Sequence, residues 1–170
     1  MPAQEYHREQ SASDRCVPAC AAMVLSWLGR SADEEELCQG WFHTKGGYGL
    51  DAAASAIEGK LFSLYPDSPR FFEDLAVRLA EPRWIIAYMF SAPLMRSTQA
   101  LSPQPRSRFG TLAIRPYGEL HAVVLVEADA TGFFYLDPYY PVAGQPFRLS
   151  RRQLAQAWQG SMTISPPRTG

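Results

Sequence analysis

The sequence predicts an α+β domain in which helices come first and an antiparallel sheet follows. Three observations lead there. Residues 16–80 carry helix starts and stops, with polar caps and glycines at helical spacing. The period changes at Trp84, after which continuous apolar runs of strand length take over. Two of those runs are joined by a turn through Asp129 and Gly132, which marks a hairpin. With 170 residues the chain reads as one domain, 1–170, whose core spans about residues 10–164.

The first helix runs from about Cys16 to Leu28, with Ser13 or Asp14 as its cap. Pro18 is tolerable only in a first turn, and Gly29 suits the stop. Ser31-Ala-Asp-Glu34 reads as a capping box for a short helix ending near Gly40. Gly46-Gly-Tyr-Gly49 is a turn into an alanine-rich helix, Leu50 to Glu58, closed by Gly59. Ser68-Pro69 starts another helix, with Phe72, Leu75, Val77 and Leu79 among its apolar positions. Trp84 to Phe90 is a buried strand. Residues 91–110, rich in Ser, Pro, Gln and Arg, read as a long surface loop. Thr111 to Arg115 is a candidate strand, and His121–Glu127 and Phe133–Asp137 form the hairpin. Ser150 caps a last helix, Arg151 to Trp158, and Met162-Thr-Ile164 closes the sheet. Residues before Gln10 and after Pro166 read as loose ends.

Composition narrows the function classes. Sixteen basic and seventeen acidic residues give a net charge of −1, and no basic block is present. Nucleic acid and anionic membrane surfaces are therefore not expected partners. No run of about 18 apolar residues exists, so membrane insertion is not expected. The N-terminus lacks an apolar signal-peptide core, and three cysteines are an odd number for a disulfide framework. The expected location is a reducing cytosol as synthesised. Delivery by a specialised secretion system, which leaves no such signature, fits the same sequence.

The chemistry centres on Cys16. A thiol at a helix N-terminus lies in the positive end of the backbone dipole, which favours the nucleophilic thiolate. His121 and Asp137 lie eight residues either side of residue 129, the centre of the hairpin turn. They are therefore opposite each other, or nearly so, and on one face. A carboxylate there holds an imidazole in one tautomer and stabilises its charged form. Cys16 is the candidate nucleophile, His121 the base and later acid, and Asp137 the orienter. The Cys16 backbone N–H and the carboxamide of Gln10, six residues upstream, are candidate oxyanion donors.

Gln10-x5-Cys16-x-Pro18-Ala19 at a helix start, followed by Ala-Met-Val-Leu, resembles the bacteriocin-processing (double-glycine) group of papain-like cysteine peptidases. The segment from His121 to Pro141, with Asp137-Pro138 at its end, resembles that group's second motif block. Ala157-Trp158-Gln159-Gly160 is similar to its final helix. The resemblance covers about Gln10 to Ile164. It implies a papain-like fold, with N-terminal helices packed on an antiparallel sheet. It further implies a peptide or protein substrate, no cofactor, and catalytic Cys16, His121, Asp137 and Gln10. The group usually reads Asp-Cys-Gly-Pro where this chain has Arg15-Cys16-Val17-Pro18. Losing the glycine alters how closely substrate approaches the helix start, and Arg15 should favour a thiolate. The group's members are commonly fused to a membrane transporter, and delivered effector proteases carry similar motifs. The expected role is that of a stand-alone leader-type or effector protease.

Other readings use the same residues. One triad also serves deamidation or transpeptidation, and a non-catalytic binding module on this fold is a third reading. A zinc site would combine Cys16, Cys20, Cys38 and His43, but zinc ligands favour tighter knuckle spacing, so no metal is expected. Cys20 reads as core packing, His43 as structural and His7 as solvated. The Asp33–Glu36 run reads as a solvated helix start. The aromatics Phe133, Phe134, Tyr135, Tyr139 and Tyr140 read as core and hairpin surface, with Tyr139 or Tyr140 beside Asp137. Oligomeric state is not legible.

Overall fold

A computed structural model of the chain describes residues 2–44, 47–101 and 120–169. The candidate strand at 111–115 and part of the predicted loop lie outside these residues. Among the described residues, six helices, a two-stranded ribbon and a six-stranded sheet follow an N-terminal 3-10 turn, Ala3–Tyr6.

The helices are α1 (Cys16–Trp27), α2 (Glu34–Cys38), α3 (Leu50–Ile57), α4 (Phe71–Ala80), α5 (Ser91–Leu101) and α6 (Arg151–Ala157). The ribbon pairs β1 (His43–Thr44) with β2 (Gly47–Tyr48). The main sheet holds β3 (Lys60–Ser63), β4 (Ile85–Phe90), β5 (Leu120–Ala128), β6 (Gly132–Leu136), β7 (Phe147–Ser150) and β8 (Trp158–Ile164). Its order is β3-β8-β4-β5-β6-β7, with every pair antiparallel.

Strand alternation builds two apolar layers. Ile85, Ala87, Val123, Leu125, Phe133 and Tyr135 pack with Phe71 and Leu75 of α4 and Leu154 of α6. Ile86, Ala122, Val124 and Leu136 pack against Met23 and Val24 of α1 and Leu50, Ala53 and Ile57 of α3. Helix α1 is buried along nearly its whole length, which its all-round apolar sequence requires. The first helix, its Gly29 stop (φ 82°), the strand after Trp84 and the Ser150 cap match the sequence reading, and Gln153 completes a capping box that the reading did not include. Gly29 and Arg30 return their N–H groups to Ser26 and Leu25, as a glycine stop does.

Several expectations are corrected. Arg15, not Ser13 or Asp14, stands at the α1 N-cap, because Asp14 gives its carboxylate to His43 at 2.7 Å. The short helix starts later, capped by Asp33, whose Oδ1 accepts the Glu36 N–H. Glu34 instead accepts from Ser11 and pairs with Arg15, so the acidic run is only partly solvated. Glu58 takes the left-handed position (φ 56°) that was expected of Gly59. Gly59 serves another need, since a Cβ there would sit 2.4 Å from the Ile164 carbonyl. Val77 is exposed and Phe71 takes its expected place in the core.

Residues 91–101 are helical, not loop: Ala92 and Leu94 bury an apolar face that the polar remainder of the segment masked. Pro93 sits in the first turn, where it is tolerated. Neither chain end is loose. Tyr6 is buried and packs edge-on against Trp84, and Arg168 donates to the Pro82 carbonyl and to the Tyr6 hydroxyl.

The hairpin register needs one further correction. Leu125 pairs with Tyr135 and Val124 with Leu136, and a bulge separates Leu125 from Glu127. Continued, that ladder sets Asp137 beside Val123, two residues from the expected His121. An even offset leaves both residues on one face, so the side chains still meet on the diagonal.

Candidate active site

Cys16 is the first residue of α1 and is partly exposed. His121 lies one residue into β5, which packs beneath α1, and is 3% exposed. Asp137 follows the last residue of β6 and is 1% exposed. His121 Nε2 donates to Asp137 Oδ1 at 2.7 Å. The same oxygen accepts the Tyr139 N–H at 2.9 Å. The other ring nitrogen, Nδ1, is left for the hydrogen bond that His121 makes with the Cys16 sulfur. Burial works against charge on His121. The Asp137 carboxylate and the Cys16 sulfur outweigh it and raise the imidazole pKa to about 10.

Gln10 is completely buried on the loop that leads into α1. Its backbone N–H bonds the Pro138 carbonyl at 2.8 Å, and its Nε2 donates one hydrogen to Ala12 O at 2.8 Å. The carboxamide nitrogen carries a second hydrogen. The fold thus ties the loop before Cys16 to the turn after Asp137.

Arg15 turns toward α2. Its guanidinium bonds Glu35 and lies 3.8 Å from Glu34, so two carboxylates of α2 absorb its charge. The Asp14–His43 pair fixes the β1–β2 ribbon beside Cys16. A Cβ on Gly47 of that ribbon would sit 2.9 Å from the Asp14 carbonyl. Cys20 is fully buried, and burial pushes its thiol pKa well up, as expected for core packing. Cys38 is raised by burial too. Among the described residues, no cluster of His, Cys, Asp and Glu suited to a metal ion is found.

Sequence reasoning missed two neighbours. Tyr88 on β4 donates to the Tyr48 carbonyl at 3.0 Å; burial, then the nearby Cys16 sulfur and Asp51 carboxylate, push its hydroxyl up to about 12. Its position within the apolar run of β4 hid it. His7, read as solvated, bonds the Asp137 carbonyl through Nε2 at 2.9 Å. No local signal announces a contact across 130 residues. Tyr139 is buried and meets the His121 ring edge-on at 5.7 Å. A groove of about 560 Å³ runs beside Gly49, between Trp41 and Phe42 on one side and Asp51 and Ser55 of α3 on the other.

No protein-family model matches the sequence, and no curated protein matches it. Solved structures do match the fold. A protein described as a C39-like peptidase from Bacillus anthracis aligns with TM-score 0.60 and 17% identity over 95% of this chain and 94% of its own. The peptidase domain of Streptococcus ComA, a bi-functional ABC transporter in quorum sensing, gives 0.58 and 16% over 94% and 96%. A double-glycine motif protease from an AMS/PCAT transporter, solved with a leader peptide, gives 0.54 and 13% over 93% and 89%. The architecture of this chain is that C39, papain-like fold.

Proposed function

We propose that this chain is a cysteine peptidase that hydrolyses peptide bonds through Cys16, His121 and Asp137, with Gln10 as oxyanion donor. The observation that carries the reading is the unbroken hydrogen-bonded series Asp137–His121–Cys16, ending at a helix N-terminus. His121 Nδ1 takes the thiol proton, and the Cys16 thiolate attacks the substrate carbonyl carbon. Negative charge collects on the carbonyl oxygen, toward which the Cys16 N–H and the Gln10 carboxamide donate. The intermediate collapses as Nδ1–H protonates the leaving amine, giving a thioester on Cys16. His121 then deprotonates a water, which attacks the thioester and releases the acid and the thiol. Asp137 does not react; it holds Nε2–H and stabilises the imidazolium.

A peptide substrate is supported by the neighbouring fold solved with a leader peptide. The test is mass spectrometry of a peptide library incubated with wild type and Cys16→Ala. Cleaved products from the wild type alone are the expected result. A gain of about one dalton without cleavage would select deamidation, and a joined product would select transpeptidation.

A further inference from the structure

The main chain of Asp137 is gripped from two directions. Gln145 is 7% exposed and accepts the Asp137 N–H on Oε1 at 2.7 Å. Its Nε2 lies 3.0 Å from the Asp137 carbonyl, 2.9 Å from that of Pro141 and 3.3 Å from that of Tyr140. His7 reaches the Asp137 carbonyl from the other side at 2.9 Å, with its Nε2 3.1 Å from Gln145 Nε2. Three residues further on, the Gln10 N–H bonds the Pro138 carbonyl at 2.8 Å. The N-terminal arm therefore crosses the 137–141 turn and bonds it at both ends of the crossing.

A turn whose carbonyls converge inward needs donors at its centre, because buried unpaired carbonyls are costly. The Gln145 carboxamide and the His7 imidazole supply them. The Asp137 carbonyl can only accept, so the His7 Nε2 that bonds it carries the hydrogen; burial lowers the His7 pKa, and the acidic groups facing the ring are Asp137 and Glu9. Nothing in acyl transfer itself calls for either residue. Their bonds end on the backbone that aims one catalytic carboxylate and anchors one oxyanion donor.

We propose that His7 and Gln145 are positioning residues, a clamp that fixes the Asp137 carboxylate and the Gln10 carboxamide relative to Cys16 and His121. The proposal rests on the peptidase reading of that site. Losing the clamp lets the turn relax by a fraction of an ångström. A misplacement of about 1 Å costs roughly 10²-fold in rate, so the expected loss is about tenfold.

Docking of the arm does not depend on His7, since Tyr6 is buried against Trp84 and held by Arg168. His7→Phe therefore keeps a planar ring in place and removes both ring nitrogens, the donor to Asp137 with them. Its kcat should fall about tenfold with little change in KM. His7→Gln, which restores a donor, should recover much of the loss. The alkaline inflection of the pH profile, set by His121 between Asp137, Cys16 and the Tyr139 ring, should move to lower pH. Gln145→Leu should do the same more strongly, and His7→Phe decides the matter if that variant does not fold. The inflection is also read from the pH dependence of Cys16 alkylation, which needs no peptide substrate. A shifted alkylation profile without peptide turnover would retain the clamp and reject the peptidase reading. Wild-type kcat and an unmoved inflection in folded His7→Phe would overturn the clamp.

Discussion

Replacing Asp137 with asparagine removes one charge and almost nothing else. The shape is retained, and the structure dictates which way the new amide points. Oδ1 accepts from both His121 Nε2 and the Tyr139 N–H, at 2.7 and 2.9 Å. An asparagine turned to present its NH₂ would set one donor against two. Its carbonyl oxygen should therefore take the Oδ1 place and keep His121 in the tautomer that leaves Nδ1 for Cys16. What is lost is the charge assistance to the imidazolium. Hydrogen bonds to charged groups contribute about 1.5–3 kcal/mol against about 0.5–1.5 kcal/mol for neutral ones. A loss of about 1–2 kcal/mol corresponds to a roughly five- to thirtyfold fall in kcat/KM. Steady-state kinetics on a cleaved peptide, run across pH, measure it. The fall should be accompanied by an alkaline inflection at lower pH. A loss near 10⁴-fold, the scale of a wrong tautomer, would refute the argument from Tyr139. Unchanged activity would remove Asp137 from the site altogether.

Two further expectations concern stability. In Gly132→Ala the added Cβ would lie 2.2 Å from the Leu149 carbonyl, so β6 and β7 must part; an overpacking cost of about 1–3 kcal/mol should lower Tm by roughly 2–12 °C in a thermal melt. His121 has a folded pKa of about 10, above its unfolded value of about 6.5, so it binds its proton more tightly when folded. Its stabilisation is fully present below pH about 6.5 and is lost as pH rises through about 10. Urea midpoints should fall across that window in wild type and fall less in His121→Gln; parallel curves would show that His121 is not the source.

What was legible in the sequence was local. The 16–28 helix announced itself through its apolar run and Gly29, and β5 and β6 through continuous apolar residues around a polar turn. The facing of His121 and Asp137 followed from strand parity alone, which is why it tolerated a register misplaced by two residues. Segments whose structure is decided elsewhere were illegible. Helix α5 looked like a loop because the burial of Ala92 and Leu94 depends on its packing against α6 and the sheet, which no local pattern shows. Strand β3 exposes all four residues and exists by pairing with β8, so it has no apolar pattern. Gln10 was singled out by its spacing to Cys16, whereas His7 and Gln145, which bear on the turn after Asp137, carry no motif.

The place of β8 in the sheet has a consequence for how the molecule comes into being. The last strand in sequence among the described residues lies between β3 and β4, both of which precede it by long sequence separations. Until it arrives, β3 has no partner in the sheet and β4 has one bare edge. Loops this long must close before their contacts repay the lost entropy, so assembly is slow and late. Strands β4 to β7 pair in order without β8, and α1 packs on β5, so the elements that carry Cys16, His121 and Asp137 can meet before β8 closes the sheet. What waits for β8 is the β3 edge of the sheet, not the grouping of Cys16, His121 and Asp137.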